Sequence, residues 1–173
     1  MYFLDYKRQS IRKKHFNYQQ SAYYFITICT AERQHLFGKI VNGIMILNDT
    51  GKIVKKYWLS IPQHFPFIKL DIFTIMPNHI HGIITIDRWF PISPVGANNY
   101  SPFTQHGTSN SLGSAIRGFK IGVTKWCRHN KGPYNVFQRN YHDIIIHNKT
   151  QLKTIKHYIK INPEIWDRDR NNI

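Results

Sequence analysis

The stretch Met76-Pro77-Asn78-His79-Ile80-His81-Gly82 runs directly into the apolar segment Ile83-Ile84-Thr85-Ile86. Side chains at positions i and i+2 of a β-strand share a face, so this stretch predicts a strand on which His79 and His81 point the same way while Ile80 points into the core. Neutral imidazole is a common ligand of divalent metals, so two neighbouring imidazoles on one strand form half of a metal site. The alternative for a His-x-His pair alone is two unconnected strand histidines.

The neighbouring segments predict further strands around this one. The strand predicted at 70–76 is separated from the histidine strand only by Pro77-Asn78, and so short a break favours an antiparallel hairpin. The segment 22–30 is β-branched and aromatic on both faces, which is typical of a central strand buried on both sides. The remaining predicted strands are a hairpin at 36–40 and 43–47, with its turn at Asn42-Gly43, and a last strand at 135–146.

Apolar residues at helical spacing predict helices in three other segments. The first helix begins near 48–50 and ends at Pro62, and the second begins at Ser111 or Ser114. The last helix begins near Thr150 and stops at Pro163, because proline continues a helix poorly. Residues 87–110 have no apolar period and predict a long loop, and residues 163–173 predict a C-terminal tail.

Length and composition bound the class of protein. The chain has 173 residues, of which 42% are hydrophobic, so we expect one domain, 1–173, with a buried core. No apolar run approaches the roughly 18 residues of a membrane span and no signal-peptide pattern opens the chain, so we expect a cytoplasmic protein without a membrane partner. Cys29 and Cys127 lack metal-type spacing, and we expect both to be reduced packing residues.

The formal net charge of +15, from 24 Lys and Arg against 9 Asp and Glu, predicts a polyanionic partner, of which nucleic acid is the commonest. Residues 1–20 form a basic arm with interleaved aromatic residues, which suits phosphate neutralisation and base stacking; the alternative is a disordered basic tail. The helix after Ser111 carries a second basic track, and a merely solvated helix face would show the same pattern. The candidate DNA-binding residues are Arg8, Arg12, Lys13, Lys14, Arg117, Lys120 and Arg128.

The last predicted helix carries Tyr158 and Asn162 four residues apart, so both side chains can project from one face. Brought up to the two histidines, the Asn162 carbonyl would supply a third ligand of a metal site, and the mixture of ligands suits Mg²⁺ or Mn²⁺. A metal there would polarise a phosphate while Tyr158 attacks the phosphorus atom. The alternatives are an amphipathic tyrosine and a C-terminal cap, and Tyr141 is the rival nucleophile.

Blocks along nearly the whole chain match those of a known family in the same order. They are AYYFITICT, GKIVKKYW, IMPNHIHGIITI, LGSAIRGFKIGVTKW, VFQRNYHDIII and HYIKINP, with PNHIHG and the closing Tyr-x-x-x-Asn-Pro the most specific. Through them the chain resembles the REP-associated tyrosine transposases, a branch of the single-tyrosine HUH transposases. The resemblance implies an α+β fold, a ferredoxin-like sandwich with an antiparallel central sheet and helices packed on one face.

The resemblance also implies an activity. It is metal-dependent nicking and rejoining of single-stranded DNA near hairpins, the repeated extragenic palindromes, through a covalent 5′-phosphotyrosine and a free 3′-hydroxyl. His79 and His81 match the HUH pair, Tyr158 the nucleophile, and Asn162 the helix residue that helps to hold Mg²⁺ or Mn²⁺. The implied partner is nucleoid DNA, and the implied assembly is a monomer or a homodimer, since related transposases exchange the last helix between subunits.

The sequence departs from the family at four positions. Phe137 and His142 stand where members often have Trp and a second aromatic residue, and Ile144 and His147 stand where they often have His and Arg. These departures leave open which bases the protein reads. Two other functions also remain open: a hairpin-binding protein that retains the fold without cutting, and an unrelated metal hydrolase that uses the two histidines with a bound water.

Overall fold

The structure is a computed structural model that describes residues 22–87, 111–169 and 171–172. The predicted basic arm at 1–20 and the predicted loop at 87–110, apart from Asp87, lie outside the described residues. The strands and helices are β1 (Ala22–Cys29), β2 (Gly38–Val41), β3 (Ile44–Leu47), α1 (Asp49–Leu59), α2 (Ile61–His64), β4 (Ile68–Ile75), β5 (His79–Ile86), α3 (Leu112–His129), β6 (His142–Ile146) and α4 (Lys149–Ile161).

The central sheet has four antiparallel strands in the order β4-β5-β1-β6. Without the separate β2–β3 hairpin, the short helix α2 and the final helix α4, the chain order is β1-α1-β4-β5-α3-β6, which is the β-α-β-β-α-β order of a ferredoxin-like unit. The predicted fold class, α+β with an antiparallel central sheet, is therefore confirmed. The hairpin turn also lies where it was predicted, because Asn42 and Gly43 both adopt the positive φ that a tight hairpin turn requires.

The larger core lies between one face of this sheet and the helices α1 and α3. Alternate residues of β1 and β5, such as Ile26, Ile80 and Ile84, are fully buried there. Trp58 of α1 packs edge-on against Phe119 of α3, with ring centroids 5.5 Å apart. Each large apolar side chain buried in this way contributes about 1.5–3 kcal/mol to stability, so this layer holds the fold together.

Helix α4 covers the opposite face of the sheet. Ile159 is fully buried against Phe25, Ile83 and Ile146, which alternate along their strands with the residues of the larger core. One detail of the predicted architecture therefore differs: α1 and α3 share a face as expected, whereas α4 lies on the other one. The reason is the alternation of β1 and β5, which are apolar on both faces and so need a helix on each side.

The last strand is shorter than the predicted span of 135–146. Only 142–146 belongs to β6, and Phe137 makes an isolated bridge to Thr30. The ammonium group of Lys120 donates to the carbonyl oxygens of Gln138 and Asn140, at 2.8 and 2.7 Å. Because these carbonyls are bound to a helix side chain, they do not join the sheet, and the strand begins after them.

Side-chain caps explain where the helices begin. Asn48 caps α1, Ser111 caps α3 and Asn148 caps α4, each accepting a hydrogen bond from a backbone N–H three residues ahead. Of the two serines considered for α3, Ser111 is therefore the cap. None of the helices among the described residues combines the length and apolar character that crossing a bilayer requires.

Candidate active site

His79 and His81 lie on the face of β5 that α4 covers. Both are fully buried, and their ring centroids are 4.4 Å apart. The register of β5 against β1 places His81 opposite Thr27 and His79 opposite Cys29, while Ile80 enters the larger core. The two imidazoles are thus side by side on a rigid strand, as the alternation predicted.

The hydrogen bonds of Asn78 fix the tautomer of His79. The Asn78 amide nitrogen donates to the backbone carbonyls of Arg33 and Asn171, at 3.2 and 2.6 Å, so the side-chain oxygen faces the His79 ring as an acceptor. The His79 Nδ1 lies 2.8 Å from that oxygen and must donate to it. The neutral ring therefore has its lone pair on Nε2, the form in which an imidazole binds a metal.

His81 links the sheet to helix α4. Its Nδ1 lies 2.9 Å from the Thr27 hydroxyl, and its Nε2 lies 3.3 Å from the hydroxyl oxygen of Tyr158. The Thr27 hydroxyl can donate or accept, so His81 can adopt either tautomer without losing this partner. Phe25 packs on both rings, with centroids 5.1 Å from His81 and 6.3 Å from Tyr158, and so holds the tyrosine against the histidine.

Asp169 completes a group that could hold a metal ion, and no pattern in the sequence predicted this residue as a ligand. One ligand atom from each of His79, His81 and Asp169 lies within 4.8 Å of the other two, and all three residues are buried. The Asp169 carboxylate also accepts hydrogen bonds from the Tyr158 hydroxyl at 3.1 Å and from the Asn162 amide at 2.6 Å. The candidate nucleophile, Tyr158, and the candidate metal ligand, Asn162, thus both donate hydrogen bonds to the carboxylate of Asp169.

The surroundings of Asp169 favour its ionised form. Burial alone would raise the pKa of this carboxyl, but hydrogen bonds from Asn162, from the Asn171 backbone and from Tyr158, together with the electrostatic influence of the nearby His79 ring, lower it below its ordinary value. A metal ligand must be deprotonated, so this environment suits that role.

Asn162, the residue predicted as the third ligand, is the C-cap of α4 and is fully buried. Its amide nitrogen donates a hydrogen bond to Asp169, whereas its side-chain oxygen makes no hydrogen bond to any described residue. A buried carbonyl oxygen without a donor is costly, and a cation beside it would remove that cost. The orphaned oxygen and the His-His-Asp donor set both fit a bound divalent metal.

The segment predicted as a C-terminal tail packs against this site. Asn171 donates from its backbone and its side chain to Asp169 at 2.7 and 2.8 Å, and accepts from Arg33 at 2.5 Å. Trp166 stacks on the His79 ring with centroids 6.0 Å apart. These contacts hold the Asp169 carboxylate beside the histidines.

Tyr141, the rival nucleophile, lies on the other side of the sheet. It packs against the larger core and lines a pocket of about 450 Å³ beside the N-terminal half of α3. Since His79 and His81 face α4, the sheet separates Tyr141 from both of them. The structure therefore brings Tyr158 and not Tyr141 to the histidines.

The predicted DNA-binding residues divide into two groups. Arg8, Arg12, Lys13 and Lys14 lie outside the described residues. Arg117 and Lys120 line the pocket beside α3 together with Arg139, which we call the basic pocket, whereas Arg128 packs over the Tyr134 ring at 4.2 Å. Burial lowers the pKa of Lys120 to about 8, against a smaller opposing effect of Cys29.

Comparison with known proteins adds a sequence relative and a structural neighbour. The chain is 44% identical over 170 residues to an uncharacterized protein of Haemophilus influenzae, a match that covers 94% of this chain and 92% of the relative. It superposes with a TM-score of 0.59 and 16% identity on the solved structure of a REP-associated tyrosine transposase bound to a REP hairpin, over 88% of this chain and 73% of the other. No family model matches the sequence. The fold that the sequence blocks implied is thus that of the REP-associated tyrosine transposase, and the chain belongs to one family with the Haemophilus influenzae protein.

Proposed function

We propose that the protein is a metal-dependent transposase that nicks and rejoins single-stranded DNA beside REP-like hairpins, through a covalent 5′-phosphotyrosine at Tyr158. One observation carries the proposal. The Tyr158 hydroxyl lies 3.3 Å from His81 and 3.1 Å from Asp169, so a nucleophile contacts two members of the candidate metal group. A structural tyrosine at the edge of a helix stripe has no need of such neighbours.

The proposed reaction is an exchange at phosphorus. The Tyr158 oxygen forms a bond to the scissile phosphorus while the bond from phosphorus to the 3′ oxygen breaks. The phenolic proton passes to solvent, and the departing 3′ oxygen takes up a proton from solvent to become a 3′-hydroxyl. Attack of a 3′-hydroxyl on the phosphotyrosine reverses the step and rejoins the strand.

The residues that would hold the metal are His79, His81 and Asp169, with the Asn162 carbonyl oxygen as a further ligand. Imidazole with oxygen ligands suits Mn²⁺, and the oxygens make Mg²⁺ acceptable. When bound, the ion polarises the scissile phosphate and stabilises the charge that develops on it. The protein's own contribution is to hold Tyr158 in place through Phe25 and to orient its hydroxyl through the hydrogen bond to Asp169.

The DNA partner follows from charge and from the structural neighbour. The net charge of +15 and the basic pocket with Arg117 and Arg139 suit contacts to phosphates, which would position hairpin DNA on the protein. The neighbour is a transposase bound to a REP hairpin. Because Tyr158 contacts His81 and Asp169 of its own chain, we propose that one chain supplies a complete site and that Tyr158 acts in cis.

The test is the formation of a covalent adduct between the full chain and a REP-like hairpin oligonucleotide with unpaired flanks, followed on a denaturing gel. With Mn²⁺ the wild type should form the adduct, and with EDTA it should not. Tyr158→Phe should abolish the adduct, while the matched variant Tyr141→Phe should keep it. Hairpin binding without an adduct under any metal would contradict the proposal and favour the alternative, a hairpin-binding protein that does not cut.

A further inference from the structure

A groove of about 570 Å³ lies between α4 and the edge strand β6, next to the candidate active site. Three apolar side chains form its floor: Phe25, Ile144 and Ile155. Four uncharged polar side chains also line it: Asn148, Thr150, Gln151 and Thr154. We call it the α4–β6 groove, and its volume is within the range of about 300–1,000 Å³ that small-ligand sites occupy.

The groove opens beside Tyr158. Phe25 belongs both to its floor and to the site, because the same ring packs on His81 and on Tyr158. Thr154 and Ile155 precede Tyr158 by one helical turn and Gln151 by two, and each turn of an α-helix advances about 5.4 Å. These residues therefore lie about 5–11 Å along α4 from Tyr158, a distance that about one or two nucleotides of an extended strand can span.

The chemistry of the lining separates this groove from the basic pocket. None of the described residues that line it is charged, so this lining offers nothing to neutralise a phosphate. The apolar floor suits the flat face of a nucleobase, and Ile144 is 48% exposed, so a base could reach it without displacing the core. The groove thus has the composition of a site for a base and not for the backbone.

The polar rim is arranged to present hydrogen-bond donors. The side-chain oxygen of Asn148 accepts from the Gln151 backbone at 2.8 Å, and that of Gln151 accepts from the His147 backbone at 2.9 Å. Because both oxygens are held by the protein, the two amide N–H₂ groups are the ends left to contact a ligand. Carbonyl oxygens and ring nitrogens on the edge of a base are suitable acceptors.

We propose that the α4–β6 groove binds the unpaired base of the nucleotide adjoining the scissile phosphate and so contributes to the choice of cleavage site. This inference rests on the proposed function and adds a substrate subsite to it. Gln151 and Asn148 read the edge of the base, while Phe25 and Ile144 contact its face. The base thereby positions the phosphate at Tyr158.

The test uses hairpin oligonucleotides that differ only at the positions flanking the cleavage site mapped on the wild type, with each of the four bases or an abasic site. The wild type should form adduct about tenfold more slowly with the abasic site at one of these positions, since stacking and edge contacts are lost there. Ile144→Ala should weaken that dependence, and Gln151→Ala should flatten the preference among the four bases. Ile46→Ala, at a position of similar exposure on β3, and Gln63→Ala on α2 are the matched controls and should behave as the wild type does.

A second readout does not depend on cleavage. Tyr158→Phe should bind an oligonucleotide carrying 2-aminopurine at the same position, and insertion of that base beside Phe25 and Ile144 should change its fluorescence about twofold or more. An adduct that forms equally with every base, or groove variants that match their controls in both readouts, would overturn the inference while leaving the proposed function standing. No adduct with any oligonucleotide would overturn the proposed function, and unchanged fluorescence would then overturn the subsite as well.

Discussion

The two faces of the central sheet differ in what they bury. The face under α1 and α3 buries almost entirely apolar residues, including Ile26, Ile80 and Ile84. The face under α4 also carries buried polar groups, and every buried polar residue in the described part of the chain lies at the candidate site or next to it: Thr27, Thr30, Asn78, His79, His81, Asn162, Asp169 and Asn171. Burying such groups is costly unless they are paired, so their concentration at one place points to a use other than stability.

Strand β5 shows the difference within a single element. Its even-numbered residues pack into the larger core, whereas His79 and His81 face α4. Neighbouring residues on this strand therefore serve different ends, one set stabilising the fold and the other forming the site. Substitutions on one face should change the free energy of unfolding, and those on the other should change metal and DNA chemistry.

The largest expected effect is on the core face, at Gly82. A Cβ atom there would lie 2.5 Å from the Trp58 ring and 3.2 Å from the Phe73 side chain. Trp58 is fully buried against Phe119 and cannot move aside freely. Gly82→Ala should therefore lower the free energy of unfolding by about 1–3 kcal/mol in urea titrations. A free energy of unfolding equal to that of the wild type within error would contradict the prediction, because it would show that the core can accommodate a methyl group beside Trp58.

The next largest effect is expected at His81, which adjoins Gly82 and lies on the face of the sheet that α4 covers. His81→Ala should weaken Mn²⁺ binding about tenfold or more, or about 1.4 kcal/mol, because it removes one of the proposed ligands. The measurement is the rise in melting temperature that Mn²⁺ causes, since a ligand that binds only the folded state stabilises it. His129→Ala, at the exposed end of α3, is the control and should keep the full rise. An equal rise in all three proteins would argue against a metal at the histidines.

The smallest effect is on the basic pocket. Burial lowers the pKa of Lys120 to about 8, so the ammonium form is lost as the pH rises through that value. Hairpin affinity should therefore fall about two- to threefold between pH 7 and pH 9, the loss of roughly one phosphate contact. Arginine keeps its charge over this pH range, so Lys120→Arg should abolish the fall in hairpin affinity between pH 7 and pH 9. Lys125→Arg, on the same helix, should leave that fall unchanged. Equal pH dependence in all three proteins, followed by fluorescence anisotropy, would exclude a role for Lys120 in DNA binding.

Local patterns in the sequence were enough for much of this architecture. Strand alternation placed His79 and His81 on one face, and helical spacing placed Tyr158 and Asn162 together on α4. The length of β6 was mispredicted because a side chain from α3, Lys120, takes the carbonyls that would have extended the strand. That contact joins positions far apart in the sequence, and no local pattern signals it.

Asp169 was missed for a related reason. Residues 163–173 show no helical or strand period, so they predict a tail. In the structure, Asn78 and Arg33 donate hydrogen bonds to Asn171, which in turn donates to Asp169 and holds it at the site. The signal available in the sequence was a short polar pair after Pro163, the acid Asp169 and the amide Asn171. By itself this pair would not have indicated a metal ligand.

The most direct test of the account is to locate the covalent bond. The adduct with hairpin DNA, formed in Mn²⁺, would be digested with trypsin and nuclease, and the nucleotide-bearing peptide identified by mass spectrometry. Cleavage after Lys156 and Lys160 isolates Tyr158 in the peptide 157–160, whereas Tyr141 falls in the peptide 140–149. The account predicts a phosphonucleotide on Tyr158 in the first peptide. A modification on Tyr141, or no modified tyrosine at all, would contradict it.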